Sequence, residues 1–321
     1  MQRALAVLMD PIEKIKIYKD SSFAMLLEAK RRGYELHYLL QESLYINGSR
    51  ACASAQLLDV FDDSRRWFQL EAPHPINLGD MSIILSRKDP PFDTQYLHDT
   101  HILDLAEAQG ALVVNRPQSV RDANEKLFAL HFPQCCPESL VARDAKLLKE
   151  FVLAHRQAVA KSLDGMGGSA IFRVSDVDPN LNVIFETLTN EGSELALVQQ
   201  YLPEIKNGDK RILLIDGEPI PYALARVPQG DEFRGNLARG GVGVPQTLTE
   251  RDRWIAAQVG PELRRRGLFF VGIDVIGDYL TEVNVTSPTC IRELDQAFGI
   301  NIAGTLFDAL EKRLESKATF Q

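Results

Sequence analysis

Apolar residues open the chain as a compact run over residues 4–9, ending at Asp10, the mark of a parallel strand buried on both faces. Residues 21–33, SSFAMLLEAKRRG, then place apolar side chains at helical spacing, behind a serine suited to an N-cap and ahead of Gly33 as a stop. Further apolar strands are predicted over 35–40, 81–85 and 111–115, with a helix over 97–109 just before the last. This rhythm predicts a Rossmann-like α/β sheet, doubly wound, in the first 124 residues. No G-x-G-x-x-G follows the first strand, so the backbone cradle for a dinucleotide pyrophosphate is missing and a nicotinamide dehydrogenase is disfavoured.

From about Asn124 the strand candidates turn amphipathic and glycine turns multiply, as in an α+β unit built on antiparallel sheets. The expected division is 1–124, 125–202 and 203–321. The second break follows a strand over 195–200 and precedes a turn over 205–209 and a strand over 210–215.

With 321 residues, 45% of them hydrophobic and 25% charged, the chain has the composition of a globular protein of two or three domains. Thirty-six basic against 44 acidic side chains give a net charge of −8, which offers no general attraction to nucleic acid or anionic membrane. An anionic ligand must therefore be held by a local cluster. Cys52, Cys135, Cys136 and Cys290 lack metal-site spacing and are too few for a disulfide framework, so they read as thiols of a reducing cytoplasm. No apolar run reaches membrane-spanning length, and the opening lacks a signal peptide's apolar stretch. A cytoplasmic enzyme is the expectation.

Four segments carry candidate chemistry. In AVAKSLDGMGGSAIF (158–172) a short strand bears Lys161 and leads into a glycine loop whose N–H groups suit phosphate oxygens; a plain hairpin with a salt-bridged lysine is the alternative. It is not a Walker loop, since no G-K-[ST] ends it. LALVQQYLP (195–203) offers an extended backbone to an adenine edge, or is simply an edge strand stopped by proline. VPQGDEFRGNLARGGVGVP (227–245) is too glycine-rich to hold a core of its own and reads as a lid without secondary structure, with a floppy surface connector as the alternative. FVGIDVIGDYLTEVNVTSPTCIR (270–292) reads as a β-hairpin with Asp274 on one strand and Glu282 and Asn284 on one face of the other. Carboxylates among Val and Ile need a cation, and hard oxygen donors suit Mg²⁺ bridging substrate phosphates; a solvated edge strand gives the same alternation. Arg211, Arg226 and Arg292 are placed to fork onto carboxylates or phosphates.

Hairpin register decides whether those three side chains meet. A two-residue turn at Gly277-Asp278 pairs Ile276 with Tyr279 and Asp274 with Thr281, leaving Glu282 on the far face. A three-residue turn, 277–279, puts Asp274 opposite Glu282. The odd-length turn is expected, with φ > 0 at Gly277 or Asp278.

Taken together, KSLDGMGGSAIFRV, QQYLPEIKNGDKRILLIDGEPIPYALARVPQGDEFRGNLARGG, GIDVIGDYLTEVNVTSPTCIRE, MDPIEKIKIYKDSSFAMLLEAKRRGYELHY, SRKDPPFDTQYLHDTHILDLAEAQG and VNRPQSVRDANEKLFAL resemble the prokaryotic-type glutathione synthetases of the ATP-grasp superfamily, over nearly the whole chain. The resemblance implies an N-terminal substrate-binding domain followed by a two-part ATP-grasp domain. It implies a ligase that joins γ-glutamylcysteine to glycine through an acyl phosphate, with ATP cleaved to ADP and phosphate. It further implies that Lys126 and Lys161 contact ATP phosphates, that Gly165, Gly167, Gly168 and Ser169 cover them, and that Gln199, Tyr201 and Leu202 surround adenine. Asp209 then contacts ribose; Asp274, Glu282 and Asn284 ligate Mg²⁺, with Mn²⁺ as a substitute. Arg211 and Arg226 serve catalysis, and Ser287, Thr289 and Arg292 lie near the peptide and glycine carboxylates. A homo-oligomer is the implied assembly. Ser162 follows Lys161 where the family usually has proline, which bears on strand rigidity more than on chemistry. Another carboxylate–amine ligase of the superfamily would differ only in its substrate shell, and a regulatory relative would be expected to lose the metal carboxylates or Arg226, all present here.

Overall fold

A computed structural model of the chain describes residues 3–165, 167–235, 237 and 240–319. Its first part runs β1 (Ala4–Leu8), α1 (Ser21–Arg31), β2 (Glu35–Leu39), β3 (Leu44–Asn47), β4 (Arg50–Val60), β5 (Phe68–Leu70), β6 (His74–Asn77), β7 (Ile83–Ser86), α2 (Thr94–Ala108), β8 (Leu112–Val114) and α3 (Pro117–Arg121). The sheet order is β3-β4-β2-β1-β7-β8, with β5 and β6 also paired to β4. Strands β2, β1, β7 and β8 are parallel, so the predicted α/β core is present. The antiparallel β3–β6 extension is an addition that the apolar pattern does not announce.

Helix α1 differs from expectation at its start. The N-cap is Asp20, whose carboxylate accepts the Phe23 N–H at 2.7 Å, because a carboxylate there also meets the positive end of the helix dipole. The serines are used for tertiary contacts instead: Ser21 Oγ accepts the Ile291 N–H at 3.1 Å, and Ser22 Oγ accepts Arg87 Nε at 3.0 Å.

The second part adds β9 (Ser139–Ala142), α4 (Ala145–His155), β10 (Gln157–Ser162), β11 (Ile171–Ser175), α5 (Leu181–Leu188) and β12 (Ala196–Gln200), an antiparallel sheet of order β11-β10-β12-β9. Helices α4 and α5 cover it, and Leu148, Val152, Phe185, Ala158 and Val198 form its own core. The third part holds β13 (Asp209–Ile215), β14 (Glu218–Val227), β15 (Val242–Thr247), α6 (Glu250–Arg266), β16 (Phe270–Ile276), β17 (Tyr279–Asn284), α7 (Ile291–Phe298) and α8 (Ile302–Thr319). Its five-stranded sheet runs β15-β14-β13-β16-β17.

The first and third sheets share one core: Leu5, Leu85, Phe23 and Leu26 cluster with Leu213, Phe270, Ile291 and Phe307. Asn115, at the end of β8, ties them by polar contacts, accepting from Phe269 N and Phe270 N at 2.6 and 2.8 Å and donating to Phe270 O and Val285 O at 2.8 and 2.7 Å. The second sheet has no such share in that core, and the cleft described below opens between it and the third sheet. No described helix is long and apolar enough to cross a membrane.

The lid expectation needs correction at one end. Residues 242–247 form β15, an edge strand paired with β14, so only 228–241 remain as a connection. Gly243 permits this pairing, since a Cβ there would lie 3.2 Å from Leu224. Within the connection, Asn236, Ala238 and Arg239 lie outside the described residues. The turn expected over 205–209 is a 3-10 helix over Pro203–Asn207.

One close approach fixes α6 on the third sheet. A Cβ on Gly260 would fall 2.1 Å from the Gly217 carbonyl, while Gly217 itself turns β13 into β14 at φ +78. Gly260→Ala should therefore lower the unfolding free energy by about 1–3 kcal/mol through overpacking, read as a fall in the urea midpoint at constant slope. An unchanged midpoint would show that the two backbones need not touch.

Candidate active site

Cross-strand register assembles the site. On the third sheet Arg211 pairs with Asp274, and Asp274 with Glu282, giving one row across β13, β16 and β17. Asn284 lies opposite Gly272 in the next row on the same face, and Asp209 lies opposite Arg226 across β13 and β14. The Asp274–Glu282 pairing matches expectation, but its cause does not. The turn is the two-residue one, Gly277-Asp278 with Gly277 at φ +57, and Ile276 pairs with Tyr279. A β-bulge at Thr281 supplies the odd residue, its hydroxyl donating to the Asp274 carbonyl at 3.2 Å.

These side chains form a dense lattice. Arg211 grips Asp274 with Nε on Oδ1 at 2.5 Å and Nη2 on Oδ2 at 3.0 Å, while Arg226 Nη2 reaches the same Oδ2 at 2.9 Å and also pairs with Asp209. Asn284 Nδ2 donates to Asp274 Oδ2 at 3.2 Å. Burial works against charge on Asp274, but the two guanidiniums outweigh it and hold the carboxyl well below the usual range. Asp209 goes the other way: burial, with help from the Asp274 and Glu282 charges, exceeds the pull of Arg226 and raises it to about 6. Gly272 makes room for this grip, since a Cβ there would lie 2.8 Å from Arg211 Cδ.

Facing this lattice from the second sheet is Lys161 on β10, buried, with Nζ 3.4 Å from Gln199 Oε1 and 3.8 Å from Glu282 Oε1. It thus spans the two sheets. Lys126 is more deeply set and does not line the cleft; its Nζ holds Glu125 at 2.5 Å and the carbonyls of Gly165 and Leu163 at 2.8 and 3.3 Å. Burial opposes its charge, yet Glu282 and Glu125 prevail and raise its pKa. The same lysine therefore anchors the glycine loop from below. That loop needs Gly165, where a Cβ would lie 2.7 Å from the Ser169 carbonyl, and it places Gly167 and Gly168 at φ +59 and +78. Met166 lies outside the described residues.

From the connection after β14, Arg234 Nη1 donates to the Gly168 carbonyl at 2.6 Å, and Gly235 passes so near that a Cβ would fall 2.2 Å from the Arg226 carbonyl. Phe233, Arg234, Gly235 and Leu237 roof the cleft. Of the residues singled out by sequence, Lys161, Gly165, Gly167, Gly168, Gln199, Tyr201, Leu202, Asp209, Arg211, Arg226, Asp274, Glu282, Asn284, Ser287 and Thr289 line this one cavity. Ser169 is not among the lining residues. Arg292 is not among them; its Nη2 pairs with Asp62 at 2.9 Å, because the start of α7 turns it toward the first sheet's loops.

Sequence reasoning missed the apolar slot of Val159, Ile171, Ile205 and Ile276 beside Tyr201 and Leu202. A signal existed: Val159 and Lys161 lie two apart on one strand and so share a face. Glu125 and Arg234 were also missed, the first because an acidic side chain beside a lysine reads as a surface pair.

The donor set fits a hard divalent cation. Asp274, Glu282 and Asn284 offer only oxygen ligands, and among the described residues no arginine pairs with Glu282, its ion pair being the loose one with Lys161. Among the described residues no three His, Cys, Asp or Glu side chains converge to cage an ion unaided. Mg²⁺ takes one or two carboxylates and completes its octahedron with water and phosphate oxygens, so such a half-built set suits it.

Comparisons with known proteins agree with this geometry. Residues 4–121 match the family model "Prokaryotic glutathione synthetase, N-terminal domain", and residues 125–299 match "Prokaryotic glutathione synthetase, ATP-grasp domain". The chain is 61% identical over 311 residues to the glutathione synthetase of Xanthomonas campestris, covering 97% of this chain and 98% of that one. It is 57% identical over 317 residues to the glutathione synthetase of Pseudomonas aeruginosa, covering 99% and 100%. Among solved structures it resembles D-cycloserine synthetase DcsG, with a TM-score of 0.64 at 15% identity over 97% of this chain and 99% of that one. The ATP-grasp ligase PsnB complexed with minimal precursor, Mg and ADP gives 0.62 at 14% over 97% and 98%. At such identities the structures speak for the fold alone.

The lattice predicts an acid-sensitive contribution to stability. Asp274→Ala strands the buried Arg211 guanidinium, leaves Arg226 with Asp209 alone, and should cost about 3–5 kcal/mol at pH 7. Because the folded pKa of Asp274 is depressed, that contribution is complete above the unfolded carboxyl value near ~3.9 and is lost as pH falls below it. Urea unfolding of both proteins should show the gap narrowing below about pH 4; a gap independent of pH would contradict an ionic role.

Proposed function

The chain belongs to the prokaryotic glutathione synthetases, and from that premise we propose how its cleft performs the reaction. The enzyme is an ATP-dependent ligase that joins γ-glutamylcysteine to glycine, forming glutathione. ATP and Mg²⁺ are its nucleotide and metal; Mn²⁺ substitutes in our reading, since an oxygen set with open positions accepts either ion.

Adenine enters the apolar slot of Val159, Ile171, Leu202 and Ile276, with Gln199 and Tyr201 at its edge and Asp209 at the ribose. Lys161 and the loop Gly165, Gly167, Gly168 and Ser169 take the phosphates, and Lys126 acts from beneath by holding that loop. Asp274, Glu282 and Asn284 hold the metal, which when bound neutralises phosphate charge. The cysteinyl carboxylate of γ-glutamylcysteine attacks the γ-phosphorus; the bond to the ADP oxygen breaks and an acyl phosphate forms. Glycine's neutral amine then attacks the acyl carbon, phosphate leaves with the bonding pair, and the nitrogen gives up its extra proton. Arg211 and Arg226 stabilise the oxyanions as they develop. Ser287 and Thr289 face the substrate carboxylates. The 228–241 connection excludes water that would hydrolyse the acyl phosphate, a role supported by Arg234 resting on Gly168.

One observation carries this reading: cations from two sheets, a half-built metal set and a glycine loop converge in a single cleft under one roof. Arg292, turned to Asp62, is assigned to the edge of the substrate site. The division 1–124, 125–202 and 203–321 is retained as N-terminal, central and C-terminal units. A cytoplasmic location fits the acidic, cysteine-poor composition, and a homo-oligomer is proposed with it, consistent with exposed apolar side chains such as Ile46 and Val183.

ADP release should require γ-glutamylcysteine, glycine, ATP and Mg²⁺ together. Turnover that persists when either organic acid is omitted would refute the assignment. Glu282→Gln removes a ligand charge with almost no change in shape, so kcat should fall by more than ~100-fold, with far-UV circular dichroism unchanged. Retained Mg²⁺-dependent turnover would make Glu282 a mere strand residue.

A further inference from the structure

Arg87 follows β7 directly and is 5% exposed. Its Nε donates to Ser22 Oγ at 3.0 Å, its Nη2 to the Pro288 carbonyl at 2.8 Å, and its guanidinium lies 5.6 Å from the centre of the Phe270 ring. Among the described residues no carboxylate pairs with it. Burial pulls its proton affinity down, and Asp89 and Asp20 oppose this only from a distance. A charge buried against neutral acceptors is a burden on the fold, and an apolar side chain of similar volume is often neutral or stabilising in its place.

What the guanidinium holds explains why it is there. Pro288 sits between Ser287 and Thr289, which line the cleft. It packs over β16 so closely that a Cβ on Gly272 would fall 2.9 Å from Pro288 Cβ. Further along, the Ile291 N–H is held by Ser21 Oγ at 3.1 Å. The stretch 288–291 thus hangs from the start of α1 and the end of β7 on the first sheet, whereas the cleft's carboxylates and arginines belong to the third. Beyond these polar ties the segment is held by apolar packing, with Pro288 against Gly272 and Ile291 in the core shared with Leu213 and Phe270.

We propose that Arg87 is a positioning residue for the organic-acid substrates: by fixing the Pro288 carbonyl it sets Ser287 and Thr289 against their carboxylates. This rests on Ser287 and Thr289 facing substrate, as argued above. Arg87 touches none of the residues that face the nucleotide, so its effect is selective.

Steady-state kinetics on the full chain test this, with each substrate varied in turn. The wild-type enzyme must first show ADP release that depends on both acids; failure there refutes the ligase reading, not the role of Arg87. Arg87→Met should then keep or raise the urea midpoint while the KM for γ-glutamylcysteine or glycine rises about tenfold or more and the KM for ATP stays within about twofold. Arg87→Lys should fall between, since an ammonium keeps the charge but lacks the fork that reaches both acceptors. Ser22→Ala, remote from the cleft, should raise the same KM to a smaller degree; it and Arg87→Lys decide the matter if the methionine variant does not fold. Acid KM values within about twofold of wild type in the folded variants, or an ATP KM rising in step with them, would overturn the proposal.

Discussion

Everything in the cleft depends on keeping Asp274 ionised inside the third sheet. A carboxylate with Ile273 and Val275 as chain neighbours would be protonated or pushed out if burial alone decided. Arg211 and Arg226 reverse that outcome, and they do so only because β13, β14 and β16 bring positions 211, 226 and 274 onto one face. A slip of one residue in any of these strands would send a charge to the opposite face, into the core of Ile212, Leu214 and Ile273. The lattice is thus both a product of the register and a penalty on every alternative register.

Glycines convert this rigid floor into a usable space. Gly272 lets the Arg211 side chain lie flat, Gly235 lets the roof descend onto the Arg226 backbone, and Gly165 lets the glycine loop turn back on Ser169. In each case the neighbour is a backbone or a side chain already committed to the charge lattice, so a methyl group could not be absorbed by a rotamer change. The roof and the loop then meet through Arg234 and Gly168.

Much of this was legible in the sequence, for identifiable reasons. Buried parallel strands announce themselves as short apolar runs, and β1, β2, β7 and β8 were all read within a residue or two. The Asp274–Glu282–Asn284 face was legible because costly carboxylates in an apolar strand demand a partner. The bulge at Thr281 was not, since a two-residue turn plus a bulge and a three-residue turn have the same parity. Nor was β15: glycine and proline in 242–247 hide a strand whose edge position tolerates Pro245. The cap at Asp20 lost to two serines in the reading because both types cap well, and only tertiary demand for the Ser21 and Ser22 hydroxyls separates them. Arg87 drew no notice because nothing in SRKDPP distinguishes a buried arginine from an exposed one.

Charge balance on the cleft floor has a consequence for how substrates arrive. Lys161, Arg211 and Arg226 stand against Glu125, Asp209, Asp274 and Glu282, so the floor offers no net positive field to an anion. Long-range steering of a bare triphosphate is therefore weak, in keeping with the acidic chain as a whole. On the proposed reading, affinity comes from short-range exchange: phosphate oxygens replace the carboxylate beside Lys161, and the carboxylate so released takes a cation in turn. Burial and like-charge neighbours already push Glu125 and Asp209 toward their protonated forms, which shows how little uncompensated charge this space tolerates. On that reading, nucleotide and metal share one balance of charge rather than two independent sites.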